Sequence, residues 1–258
     1  MEPAEPLAPG GAASLRHPPL PVLAEGEGWL VVAKPPHVVV HRNPNMRDAS
    51  AVIQRVRTQV GRHVFLAHRL DRNTSGCLLI ATDKARAGEL SRAVTADGAR
   101  KTYLAFVRGY FDHEGVVQVD TPIKTEFGYK DARSLVEALG RCDDPRCSLL
   151  RVRPLTGRIH QVRRHVRDLN HPIIKDGDHG DSRVNKWWRD EYGVQRMGLH
   201  CLRLQLTVEN GEEIDVTCPL FQDQQDLYRR LPWWDEALAR EPSLALPALS
   251  MDWVGSGW

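Results

Sequence analysis

His68-Arg69-Leu70-Asp71-Arg72-Asn73-Thr74-Ser75-Gly76, running straight into Cys77-Leu78-Leu79-Ile80, is the stretch on which the reading of this chain turns. One acid stands among two arginines and a histidine, on a polar segment whose Thr-Ser-Gly reads as a turn. The apolar run after it reads as a buried strand. Together they predict a carboxylate flanked by cations, on a loop braced by a sheet. Neighbouring cations favour the ionised form of an acid, and an ionised, positioned carboxylate serves as a nucleophile or a base. A surface salt-bridge loop has the same composition, so the flanking sequence must decide.

Upstream, Trp29-Leu30-Val31-Val32-Ala33 predicts a buried strand stopped by Lys34-Pro35-Pro36, and Val38-Val39-Val40 a second short one. Asp48 and Ser50 are candidate N-caps for a helix with Val52, Ile53, Val56 and Val60 on one face. Downstream, Asp83 is placed to cap a helix over 84–94, and Lys101 to Arg108 alternates as a strand with both faces covered. Further strands are expected at 116–119, 134–139, 148–153, 199–208 and 214–218, with polar loops at 124–130 and 175–189 and a helix at 222–231. Strands outnumber helices and do not alternate with them regularly. That predicts an α+β fold with a mixed or antiparallel sheet.

The second informative element follows Pro154-Leu155-Thr156-Gly157. At helical spacing Ile159, Val162, Val166 and Leu169 gather on one face, and His160, Arg163, Arg164 and Arg167 on another. Arg163 lies nearest the boundary, where a guanidinium can enter a cleft and pair bidentately with a carboxylate. Six arginines and no acid occur between Arg151 and Arg167. The whole chain carries a formal charge of only +2, so any attraction for a polyanion is local rather than global.

The composition of the 258 residues, 41% hydrophobic and 26% charged, is that of a globular protein. No apolar run approaches the length of a membrane span. The Pro-, Ala- and Gly-rich start lacks the basic and apolar blocks of an export signal, so residues 1–22 are expected as a disordered extension and the chain as cytoplasmic. A catalytic domain is expected over 23–235 and a loosely ordered tail over 236–258. The five cysteines are an odd number, and free thiols are the default in this setting. Cys142 and Cys147 have a spacing that suits a metal, with His200-Cys201 as further ligands, but no second paired motif supports a zinc site. His160 and His165 stand five apart with no Glu between them, which excludes a zinc-protease helix. A glycosidase needs two carboxylates across a cleft, and Asp71 has no evident acidic partner in the basic segment. Gly-rich phosphate loops are absent.

The nine residues from His68 to Gly76 resemble the catalytic motif of the RluA family of RNA pseudouridine synthases. Three more blocks match in order: Lys34-Pro35 after a strand, Lys101-Thr102-Tyr103, and the basic run from Thr156 to His165. The resemblance spans about Leu23 to Leu231. Within the family, His41-Arg42, His63-Val64-Phe65, His171-Pro172-Ile173-Ile174 and His179-Gly180-Asp181 are similar to the bacterial tRNA pseudouridine synthase C type. The pattern departs at two points. His37 stands where the family has Gly, so a different turn is expected there, and Lys175-Asp176 stands where it has Gly-Asp.

The resemblance implies a pseudouridine synthase fold with a central cleft flanked by helices, and an isomerase that needs no cofactor or metal. It implies Asp71 as nucleophile, Arg163 as its ion-pair partner and Tyr103 as the aromatic that stacks on the base and takes a proton from uracil carbon-5. A uridine inside a stem must be flipped out. Arg69 would fill the vacated stack, and Arg158, His160, Arg164 and Arg167 would bind the RNA. The expected partner is tRNA, at uridine 65, met by a monomer. Large-subunit rRNA is the alternative substrate, and an RNA-binding or RNA-folding module the alternative class.

Overall fold

The computed structural model describes residues 18–41 and 51–251. Residues 1–17 of the expected extension, the candidate caps Asp48 and Ser50, and residues 252–258 lie outside them. Order begins earlier than expected. Leu20 is buried, its N–H donates to Gln59 Oε1 at 2.9 Å, and Gln59 Nε2 returns a bond to Leu20 O.

Val22–Gly26 (β1) and Trp29–Lys34 (β2) pair antiparallel across a turn at Gly28. Val38 and Val40 are buried but form no strand. Val39 O instead accepts the N–H of Val52 at the start of helix Val52–Val60 (α1). That helix buries Val52 and Val56, the centre of its expected face. Phe65–Leu66 (β3) leads through the Asp71 loop into Ser75–Ala81 (β4), buried at every position. Asp83 caps Lys84–Ala93 (α2) by accepting Arg86 N–H, as the sequence predicts.

Arg100–Arg108 (β5), Val116–Val119 (β6), Ser134–Asp143 (β9) and Arg146–Pro154 (β10) extend the sheet. The segment expected as a polar loop forms a separate ribbon, Ile123–Thr125 (β7) with Gly128–Lys130 (β8). After β10 comes Gln161–Asp168 (α3), shorter than expected because His160 has φ of +55°. Ile159 therefore precedes the helix and is exposed instead of packing with Val162 and Val166. The second expected loop also holds a helix, Ser182–Tyr192 (α4), capped by Asp181 and seated by the buried Trp188. Leu199–Thr207 (β11), Glu213–Thr217 (β12), Gln222–Arg229 (α5) and Trp234–Arg240 (α6) complete the order.

Ten strands form one mixed sheet, ordered β1-β2-β4-β11-β5-β10-β9-β6, with β3 on β4 and β12 on β11. Only β4 and β11 run parallel. That junction is tight, since a Cβ on Gly76 would lie 2.2 Å from Cys201 O. One core packs β1, β2, β4 and β12 with α1 and α2. A second packs α4, α5 and α6 on β5, β9 and β10, and a third packs α3 against the same strands. The cleft opens between the first core and the third. The described part of the tail is not loose. Leu244 is buried in a 3-10 turn over Pro242–Ala245, and Gln225 Nε2 donates to the carbonyls of Leu244 and Leu246.

Candidate active site

Asp71 sits on the connection from β3 to β4, and that connection is held from within. Lys34 Nζ, fully buried at the end of β2, reaches Pro35 O (2.7 Å), Arg72 O (2.9 Å) and Thr74 O (2.7 Å). Three acceptors use all three N–H bonds of an ammonium. Burial pushes this lysine well below its ordinary value, with the charge of Asp71 opposing. Thr74 N–H donates to Asp71 O and closes the turn. His68 Nε2 accepts Leu79 N–H at 3.0 Å, and burial pushes that imidazole down to about 4, so it stays neutral.

His37 adopts φ of +63°, the left-handed conformation that glycine takes most easily. The turn is thus of the kind a glycine would make, against the expectation of a different one, and the ring lies 3.1 Å from Asn73 Oδ1. Lys175, the other departure, likewise has φ of +66°.

Two adjoining hollows, of 260 and 720 Å³, meet at Asp71 and share Arg69, His160 and Arg163. Tyr103 from β5 and Arg158 from the link into α3 line the smaller one. Six of the eight predicted site residues therefore face one cleft. Arg164 and Arg167 lie outside both hollows. Arg164 Nη1 donates to Lys124 O of the β7–β8 ribbon, and Arg167 pairs with Asp168.

Arg163 is buried and pairs as predicted, but its bidentate partner is Asp176 (Nε–Oδ2 and Nη2–Oδ1, both 2.7 Å). The same guanidinium meets Asp178 at 2.6 Å and Asp71 Oδ2 at 3.2 Å. His160 Nε2 stands 3.8 Å from that oxygen, and its Nδ1 lies 3.1 Å from His179 Nε2. Among the described residues, Asp71 Oδ1 has no hydrogen-bond partner. Burial opposes ionisation of Asp176, but bonds and charge from Arg163 prevail and hold its carboxyl below the usual range. The carboxylates that meet Arg163 beside Asp71 thus come from outside the basic segment, which supplies none. Asp176 and Asp178 arrive from a distant loop, where composition gives no sign of them. Burial, followed by neighbouring Cys201 and Asp71, pushes the Tyr103 phenol well above its ordinary value, so it is protonated at neutral pH.

The five cysteines are free and buried. Cys142 and Cys147 face each other at 3.5 Å on the β9–β10 hairpin, whereas His200 and Cys201 lie on β11. Among the described residues no group of three or more His, Cys, Asp or Glu side chains is placed to hold a metal ion. No described helix is long and apolar enough to cross a membrane.

Residues 28–168 match the pattern of the RNA pseudouridylate synthase family. The tRNA pseudouridine synthase C of Vibrio parahaemolyticus is 33% identical over 244 residues, covering 86% of this chain and 98% of that one. Its counterpart in Salmonella typhi is 36% identical over 227 residues, covering 80% and 87%. The solved structure of Human RNA Pseudouridylate Synthase Domain Containing 1 matches with a TM-score of 0.65 at 25% identity, over 81% of this chain and 86% of that one.

Proposed function

This chain belongs to the RluA family of RNA pseudouridine synthases, isomerases that act on RNA, and we propose that it forms pseudouridine in tRNA, at uridine 65, with Asp71 as the nucleophile. The observation that carries this reading is the asymmetry of the Asp71 carboxylate. Arg163 holds Oδ2 at 3.2 Å, while Oδ1 has no partner among the described residues, on a side chain that lines the cleft. A positioned carboxylate with one free oxygen suits attack on carbon. The tRNA assignment is supported by the relatives' names over nearly their whole length.

The isomerisation is balanced without an oxidant or an energy source. The carboxylate adds to the sugar or to the uracil ring as the bond from N1 to C1′ breaks. The base turns, C5 bonds to C1′, C5 loses its proton, N1 gains one and the carboxylate is released. Tyr103 offers a flat face for the turning base. Arg69, two residues from the nucleophile, fills the stack left by a flipped uridine, since a guanidinium plane stacks and hydrogen-bonds. Arg158, His160, Arg164 and Arg167 contact phosphates. Arg158 and Arg164 each give one donor to a backbone carbonyl, and a guanidinium has others to spare.

The test is a modification map. tRNA from cells lacking the enzyme is incubated with wild type or Asp71→Ala, and pseudouridine is located by chemical adduct. Wild type is expected to add one mark at position 65 and the variant none. Identical maps would remove the nucleophile, and a mark confined to ribosomal RNA would remove the tRNA assignment.

A further inference from the structure

The catalytic loop is gripped by Lys34 on one side, and on the other it ends at Ser75, a fully buried hydroxyl at the first position of β4. Ser75 Oγ lies 2.9 Å from Arg196 Nη1 and 2.9 Å from His200 Nδ1. Arg196 is itself buried, above the ring of Phe221, and bound at both ends of its fork to Asp223 in the first turn of α5 (Nε–Oδ2 2.5 Å, Nη2–Oδ1 2.8 Å). His200 Nε2 lies 3.0 Å from Cys218 O.

The direction of every proton in this chain can be derived. Cys218 O can only accept, so His200 Nε2 carries the hydrogen. Burial, followed by the nearby Arg196 charge, pushes the imidazole down to about 4, so its Nδ1 is bare and accepts. The Ser75 hydroxyl then donates to His200 Nδ1 at 2.9 Å, a much nearer acceptor than Leu199 O at 3.5 Å, which leaves its lone pairs for the Arg196 N–H. The result is a one-way donor relay from a carboxylate-anchored guanidinium through Ser75 into β11. Burying a guanidinium, a hydroxyl and an imidazole is no cheap route to stability, because apolar side chains of similar volume often do as well. What directional bonds add is location.

We propose that Arg196, acting through Ser75 and His200, is a positioning residue that sets where Asp71 stands in the cleft. Ser75 lies directly after Thr74, whose N–H closes the turn on Asp71 O. Displacement of Ser75 is therefore passed to the carboxylate through one tight turn. Gly76 cannot absorb it, because its backbone is already against Cys201. The relay comes from α5 and β11, across the sheet junction from Arg163, so the carboxylate and its ion-pair partner are placed by separate elements. The proposal rests on Asp71 being the nucleophile.

The test compares single-turnover rate, RNA affinity and melting temperature for wild type, Ser75→Ala and Asp223→Asn. Ser75→Ala removes the hydroxyl with little change of volume and is expected to lower the single-turnover rate by about a hundredfold, the scale of a small misplacement of a reacting group. RNA affinity is expected to stay within about twofold, because the loss falls on the transition state and not on binding. Val31→Ala, in the core of β2, serves as the control, lowering the melting temperature but not the rate measured well below it. A Ser75→Ala protein that melts lower yet turns over at the wild-type rate overturns the proposal. So does one whose rate and affinity fall together. If Ser75→Ala does not fold, Asp223→Asn, whose side chain is partly exposed, is read alone by the same criteria. Inactivity of wild type on every RNA offered would instead strike the proposed function, so the two failures are distinguishable.

Discussion

Arg163 touches Asp71 through a single contact of 3.2 Å while gripping Asp176 through two of 2.7 Å. Asp176 is itself anchored by the N–H groups of Asp178 and His179. The guanidinium is therefore fixed by a buried carboxylate, and Asp71, the proposed nucleophile, meets a charge already in place. Preorganised charge of this kind stabilises a transition state without being rearranged during reaction. Arg163→Lys keeps the charge but loses the fork, and is expected to cut the single-turnover rate by about a hundredfold or more. Arg163→Ala leaves Asp176 buried and unpaired, which is expected to cost about 3–5 kcal/mol in urea unfolding. A stable, active Arg163→Ala would remove the residue from the site.

Tyr103 separates two roles for the aromatic. Burial and the neighbouring Cys201 and Asp71 hold the phenol protonated in the free protein, so it is poorly suited to take a proton as phenolate. Stacking needs only the ring. Tyr103→Phe is expected to retain activity within about tenfold, whereas Tyr103→Ala loses base stacking worth about 1–3 kcal/mol. Rates of the two variants on one RNA decide the matter. Collapse of Tyr103→Phe to the level of Tyr103→Ala would give the proton transfer back to the hydroxyl.

Arg167 tests the outer face of α3. It is exposed, and among the described residues its guanidinium pairs with its neighbour Asp168. A phosphate contact there adds affinity without reading sequence. Arg167→Ala is expected to weaken binding of every tRNA alike and to lower the slope of log affinity against log salt by about one. Filter binding across a salt series measures it. An unchanged slope would mean that the RNA does not reach this face.

The Asp71 loop was legible in the sequence because its residues are contiguous, and Arg163 because helical spacing put it at the edge of an apolar face. The cap at Asp83 was legible for the same local reason. The α4 helix was not, since Trp188 is the one residue it buries and the rest reads as a polar loop. Extending the helix period backwards puts Ile159 in the core, and the left-handed His160 cuts that period off. Asp176, Asp178 and Arg196 escaped because their partners are set by the folded chain. Asp176 meets Arg163 from 13 residues away and Arg196 meets Ser75 from 121. No local pattern carries such pairings. In the described part of the tail, Gln225 holds the carbonyls of Leu244 and Leu246, a pairing that a Pro- and Ser-rich composition does not reveal.

His68 and His200 give the fold a pH dependence whose sign can be worked out. The His200 ring is fully buried and His68 is half-buried, and burial above all pushes each down from 6.5 to about 4, helped by Lys101 at His68 and by Arg196 at His200. In the unfolded chain both take up a proton near the ordinary value, but in the native state only near 4. Between those limits the unfolded state binds more protons, so stability rises with pH. The contribution is complete above about 6.5 and is lost as pH falls toward about 4, on the order of 3 kcal/mol for each ring. Protonation at His68 Nε2 would also break its bond from Leu79 N–H. Asp176, held below the usual carboxylate range, loses its share only at lower pH, so this window belongs to the histidines. Urea unfolding from about pH 8 to about pH 4.5 is expected to show the decline. His68→Gln, whose Oε1 can accept the same N–H without titrating, is expected to flatten the slope. Wild-type stability that stays level through the window would show that neither ring is kept neutral by the fold.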